Sequence, residues 1–222
     1  MGTIVLAAFL AAAPAALQTA RDQQDRAALQ KLTDEAFAAA AQAPKDAEAQ
    51  YRAALASSYQ AEVALELRDK RLAEQAAVRG VKAAEQAVAL KPNQAEYYRV
   101  LGTLCGQVVP ANVIMGLGYG KRAKDAIDKA VALDPKSAGA YMARGVGNYY
   151  LPEALGGGIE LAIADFRKSI ELDAKDGDAW LWLGIALRKQ NKNADARQAF
   201  AKAVELNPKR VWAKEQLDKT PH

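Results

Sequence analysis

The 222-residue chain has one cysteine, Cys105, and one histidine, which is the last residue, His222. An intrachain disulfide is therefore excluded, as are a Cys/His zinc centre and an interior site built on a His dyad. Aromatic residues make up only 7% of the chain and β-branched runs are scarce, which argues against a β-sandwich or barrel. Catalysis would have to rest on carboxylates, Lys, Tyr or a bound cofactor, and no motif brings such a set together, so neither an enzyme nor a cofactor site is expected. What fills the sequence instead is alanine, at 51 positions, the residue with the highest intrinsic helix propensity. The 30 Lys and Arg and 26 Asp and Glu, net +4, are interleaved as on solvated helix surfaces. They form no basic stripe of the kind that nucleic acid requires.

No charged side chain precedes Arg21, and residues 4–16 are apolar apart from Pro14. That run is shorter than the roughly 20 residues needed to span a bilayer. It suits the hydrophobic stretch of a secretory signal, with small residues at Ala13, Ala15 and Ala20 as cleavage points. Residues 1–20 are expected to be a signal peptide and the mature protein to be periplasmic or secreted. If the segment is retained, it becomes an N-terminal helix of a cytoplasmic protein. No cysteine directly follows the apolar run, so no stable membrane anchor is expected.

Comparison of the chain with itself reveals repeats. Four segments end alike: Ala87-Val88-Ala89-Leu90-Lys91-Pro92, Ala130-Val131-Ala132-Leu133-Asp134-Pro135, Ser169-Ile170-Glu171-Leu172-Asp173-Ala174 and Ala203-Val204-Glu205-Leu206-Asn207-Pro208. Each reads as a helix ending, an apolar pair followed by a polar residue and, in three cases, a proline that cannot continue the helix. Their last residues are 43, 39 and 34 apart. In the final interval Trp180, Leu183, Gly184 and Leu187 fall on one helix, and Ala196, Phe200, Ala203 and Pro208 on and after the next. Gly184 and Ala196 let two antiparallel helices approach closely, while Trp180, Leu183 and Phe200 fill the space around that contact.

This pattern resembles the tetratricopeptide repeat, with Leu187 in place of the usual Tyr. Tyr141, Gly145, Ala162 and Phe166 repeat it upstream with Arg144 where Leu is usual, and Tyr98, Leu101, Gly102, Ala123, Ile127 and Ala130 repeat it again. The resemblance implies an all-α, right-handed α-solenoid of stacked antiparallel helical hairpins. The expected organisation is an N-terminal helix at 21–46, an irregular hairpin at 47–94, repeats with insertions at 95–137 and 138–176, a regular repeat at 177–210, and a cap helix at 211–222.

The two longer repeats carry nine and five extra residues over the final 34, by difference of the intervals. These are expected as neighbouring loops, Gly106–Gly120 and Tyr150–Gly158, on one edge. Apolar residues such as Met115, Leu151 and the Tyr149-Tyr150 pair should keep them out of water, by packing the loops on each other or by forming a docking patch. Gly116, Gly118 and Gly120 before Lys121-Arg122 do not have the spacing of a phosphate loop.

The resemblance further implies a protein or peptide partner on the concave face. Repeat positions place Glu96, Arg99, Thr103, Met142, Val146, Asp178, Leu181, Ile185, Arg188 and Lys189 there, with Gln107, Asn148, Tyr149 and Tyr150 where the face meets the insertions. Trp182 and Trp212 are expected to be packing residues. Arg99 and Thr103 stand where chaperone-binding members carry Lys and Asn, which disfavours recognition of a C-terminal chaperone tail. Among exported helical-repeat proteins, Tyr149-Tyr150-Leu151-Pro152 with Gly156-Gly157-Gly158 also resembles the T component of tripartite periplasmic transporters, which implies a solute-handling accessory role as the alternative.

Overall fold

The computed structural model describes residues 14–221; residues 1–13 (most of the expected signal segment), residue 222 and the side chains of Val113, Met115 and Leu117 lie outside the described residues. Residues 14–22 are helical (α1). There follow α2 (Arg26–Gln42), α3 (Ala47–Glu66), α4 (Lys70–Leu90), α5 (Ala95–Ala111), α6 (Val113–Leu133), α7 (Ala138–Tyr150), α8 (Ile159–Leu172), α9 (Gly177–Lys189), α10 (Asn193–Leu206) and α11 (Val211–Asp218). The fold is an all-α solenoid. Each helix pairs with the next, and the odd-numbered helices α3 to α11 also touch one another in succession, which makes them the tighter, inner layer.

Local chemistry sets the helix starts. Asp25, Asp46, Asp69, Ser137 and Asp176 are N-caps whose side chains accept from backbone N–H groups in the first turn, satisfying donors that have no intrahelical partner. Three hairpins share one turn. Gln24, Arg68 and Asn191 adopt positive φ of 54°, 61° and 61°. The following residue donates back to Ala20, Ala64 and Leu187 respectively, at 2.8, 2.8 and 3.0 Å, the six-to-one bond of a Schellman ending. The expected N-terminal helix at 21–46 is α2, and a further helix, α1, lying mostly within the expected signal segment, folds back on it through the same turn that closes α3–α4 and α9–α10. The cause lies in capping, since Asp25 starts α2 and the αL residue before it ends α1.

The first expected loop is also helical. α5 runs to Ala111 and α6 starts at Val113, so residues 106–120 lengthen the hairpin instead of looping out of it. Pro110 sits inside α5 one residue from its end, where it leaves the Gly106 carbonyl without its helical donor and the helix stops. The second insertion is a loop, with a 3-10 turn at Glu153–Leu155 and Gly156 and Gly158 at φ 82° and 122°. It closes on itself: Gly158 N donates to Asn148 O at 2.9 Å, and a Cβ on Gly157 would stand 2.3 Å from Leu151 O. Gln107 and Asn112 of the first insertion instead donate to Ser58 O and Glu74. Each insertion packs on its own neighbourhood, and the expected shared satellite core is replaced by these two separate anchorages.

The core changes character along the solenoid. Toward the C-terminus one continuous cluster holds Phe166, Leu181, Leu183, Ile185, Leu187 and Phe200, with Trp180, Trp182 and Trp212 against it. Phe166 and Phe200 lie across Gly145 and Gly184, where an added Cβ would come within 2.6 Å of each ring. Toward the N-terminus the core is several small clusters, dominated by Ala53, Ala54, Ala61, Ala77, Ala84 and Ala87, each at most 1% exposed.

Candidate functional site

The inner layer brings the two ends of the chain together through charge. Arg21, at the end of α1, donates from Nη1 to Asp178 Oδ2 of α9 at 2.5 Å, and its Nε lies 3.1 Å from Asp22. Arg210, which stands at the N-cap of α11, donates from Nη2 to Glu62 at 2.7 Å, from Nε to Asp178 Oδ1 at 3.2 Å, and from Nη1 and Nη2 to both Glu66 oxygens. Asn207 Nδ2 donates to Asp22 at 2.8 Å. The guanidinium of Arg21 also lies over the Tyr59 ring, 5.1 Å from its centroid.

These are buried charges. The Arg210 and Glu66 side chains are 2% and 3% exposed, while Asp178 and Glu62 keep 19% and 26%. Two cations face four carboxylates, a formal surplus of two negative charges. Burial pushes the Glu66 carboxyl up to about 7, with the Glu62 charge adding to it against the pull of Arg210. Burial also acts to raise Asp178, but Arg21 and Arg210 outweigh it and hold that carboxyl at about 2. Next to it, burial and then the Asp178 charge push Asp176 up to about 6.

Most of the residues placed on the concave face by sequence are engaged inside the protein. Arg99 pairs with Glu96, which accepts from Nε at 2.6 Å and Nη2 at 2.5 Å, and Glu96 also accepts from Tyr51 at 3.0 Å. Asp178 belongs to the charge cluster just described. Leu181 and Ile185 are buried in the C-terminal core, with Met142, Val146 and Tyr149 packed against it. Arg188 fastens the cap helix by donating to Gln216 O at 3.2 Å and Thr220 Oγ1 at 3.1 Å. Asn148 donates to Asp165, which also holds Arg144 through two nitrogens. Gln107 is tied to Ser58 O, and Thr103 Oγ1 is buried. Of the expected contact residues only Tyr150 and Lys189 are exposed. The physical reason is local for most of them, since they pair or pack with their own helix or its immediate neighbours; Asp178 alone is engaged by the approach of the two ends.

What stays open is an aromatic row. Tyr150, 59% exposed, meets Tyr149 edge-on at 5.0 Å between centroids; both meet Trp182, at 6.3 and 5.9 Å, and Trp182 meets Trp212 at 5.5 Å. Lys189 Nζ sits 4.2 Å from the Tyr149 ring centroid and donates to Tyr149 O. At its other end the row reaches Arg210, 5.4 Å from the Trp212 centroid. Trp182 and Trp212 are therefore packing residues that also join the open edge to the charge cluster. Asp178, Trp182 and Lys189 fall on one face of α9 at helical spacing, the signal in the sequence that could have shown it.

Among the described residues no group of His, Cys, Asp and Glu has the arrangement of a metal site, and no helix is long and apolar enough to cross a membrane. Cys105 is buried, and burial pushes its thiol up to about 11, the environment of an inert packing cysteine.

Stacked antiparallel hairpins with glycine-on-phenylalanine contacts define a helical-repeat protein of the tetratricopeptide class. The tetratricopeptide family model matches residues 177–210. Over residues 11–154, well over half of its length, the chain matches the family described as regulator of microtubule dynamics protein 1-3, and it belongs to that family. No curated protein sequence matches it. Among solved structures it is similar to a thermophilic tetratricopeptide protein of Thermus thermophilus, with a TM-score of 0.64 and 20% identity, over 86% of this chain and 90% of that one. Less similar are MamA from Desulfovibrio magneticus, at 0.46 and 18% over 90% and 97%, and YrrB, a tetratricopeptide protein with an unusual peptide-binding site, at 0.46 and 18% over 84% and 82%. The first of these likenesses establishes the fold.

Proposed function

We propose that the chain is a non-enzymatic scaffold that binds a protein or peptide partner where its inner face meets the 150–158 loop. The observation that carries this reading is the aromatic row ending in exposed Tyr150 beside Lys189. Tyrosine and tryptophan bring large contact area with a polar handle, and both are enriched at protein interfaces. Met142, Asn148, Asp178, Leu181 and Arg188 belong to the helices that carry that edge, and Arg99, Thr103 and Gln107 continue the inner face on α5. The family name, which refers to regulation of microtubule dynamics, is in keeping with work done on another protein.

A photo-crosslinking amino acid at Tyr150, compared with one at exposed Gln198 on α10, tests the reading in the native cell. A discrete adduct of defined mass at position 150 and none at 198 is expected. Equal labelling at both positions, or none at 150, would refute it; a thermal shift with small organic acids in that case would favour the solute-handling alternative.

Export is part of the proposal, with a cleavage point upstream of Leu17. Leu17 and Ala20 are 6% and 4% exposed and sit in a cluster with Leu29, Ala56 and Val63. A cut after Ala15 leaves that contact intact, whereas a cut after Ala20 removes it. N-terminal sequencing of exported protein decides, and Arg21 as the first residue would overturn this placement.

A further inference from the structure

We propose that the ion cluster of Arg21, Asp22, Glu62, Glu66, Asp178 and Arg210 is a latch that holds the two ends of the solenoid together and opens to uncover the inner face. The contacts span the chain: Arg21 to Asp178 is 157 residues, Glu62 to Arg210 is 148 and Asp22 to Asn207 is 185. Yet among the described residues no apolar cluster crosses with them. The cluster that seats α1 contains residues up to Val63 only, and the C-terminal core contains none before Met142. Elsewhere the helices pack on their immediate and next neighbours. A solenoid draws its stability from such nearest-neighbour interfaces, so parting its ends leaves every repeat intact. The two ends are thus joined by polar contacts that salt and protonation can weaken, between bodies that stay folded without them.

The surplus of carboxylates gives the latch a direction. Glu66 faces Arg210 from α11, Glu62 and Tyr59 from its own helix, Arg21 and Asp22 from α1, and Asp178 with Asp176 behind it from α9, while Gln24 donates to it at 2.8 Å. In the closed form it holds a proton up to about pH 7; in an open form it returns toward the ordinary carboxylate value. Closing therefore takes up a proton. It is favoured below pH 7 and loses that advantage as pH rises through 7, by about tenfold in the closing equilibrium between pH 6 and 8. Asp178, held at about 2, works in the other direction only in strong acid.

Nitroxide labels on the full-length chain at Lys70→Cys and Lys214→Cys, both exposed and outside the cluster, read the distance between the ends; native Cys105 is buried. The expected result is a short distance at pH 6 and low salt, and a longer population that grows about tenfold by pH 8 and rises again at about 1 M salt. Glu66→Gln should keep the short distance at both pH values, and Arg21→Gln with Arg210→Gln should give the long one with helix content unchanged. An unaltered wild-type distribution across pH and salt would overturn the latch, and this holds even where the double variant does not fold. No partner enters the measurement, so it stands apart from the crosslinking result at Tyr150.

Discussion

The two halves of this solenoid share an architecture and differ in what fills it. In the C-terminal half, helices are separated by aromatic rings seated on glycines, Phe166 on Gly145 and Phe200 on Gly184. In the N-terminal half α3 and α4 meet through alanine, with Ala53, Ala73 and Ala77 fully buried, and the one close glycine contact of that pair, Gly80, takes Leu104 and Ser57. Large side chains on small ones specify a register, because each ring fits one gap. Alanine on alanine allows close approach and good helix propensity but buries little area per residue. The first half therefore gains more from length, with α3 and α4 at 20 and 21 residues against 13 and 14 for α9 and α10.

That contrast can be broken in order of effect. Phe200→Ala removes the ring between α9 and α10 and should cost about 3–5 kcal/mol, read by urea unfolding, with amide exchange accelerated in α9 to α11 first. Arg210→Met should cost less, about 1–3 kcal/mol, because the Glu66 and Glu62 carboxylates it leaves unpaired regain water when the ends part. It should part the ends with amide exchange inside both halves near wild type, where Phe200→Ala loosens one half. Gly184→Ala places a Cβ 2.6 Å from the Phe200 ring and should cost about 1–3 kcal/mol. By comparison Ala53→Gly in the alanine half should cost about 1 kcal/mol, a helix-propensity effect with almost no lost packing. Smallest is Tyr150→Ser, expected within about 0.5 kcal/mol of wild type in stability while abolishing partner crosslinking from neighbouring positions.

The same contrast explains what the sequence reveals. Trp180, Leu183, Gly184 and Phe200 make the repeat recognisable because a ring and the glycine that receives it must keep a fixed spacing. From them the all-helical solenoid is legible. An alanine seam has no such mark, since almost any helix of this chain offers one. The small, apolar side chains of α1 suit the end of a secretory signal and a packed helix alike, and the turn that makes it a hairpin rests on Gln24, a residue with no turn signature. Gly106, Pro110 and the glycines at 116, 118 and 120 suggest a loop, yet the helices tolerate them near their ends. Arg21 and Arg210 are invisible for a different reason. Nothing local separates a buried arginine from a surface one, and each of these two has a carboxylate partner more than 140 residues away. Of the expected contact positions, Tyr150 and Lys189 face solvent, because most of the others are taken up by neighbouring helices.

The two ends meet through ions, and the coupling between Arg21 and Asp178 measures that meeting directly. Unfolding free energies of wild type, Arg21→Gln, Asp178→Asn and the double variant close a thermodynamic cycle. Contact at 2.5 Å between partners that are 5% and 19% exposed predicts a coupling of about 1–3 kcal/mol that falls as salt is raised. Additivity within about 0.5 kcal/mol would contradict it, and would mean that the ends of the solenoid stand apart in solution.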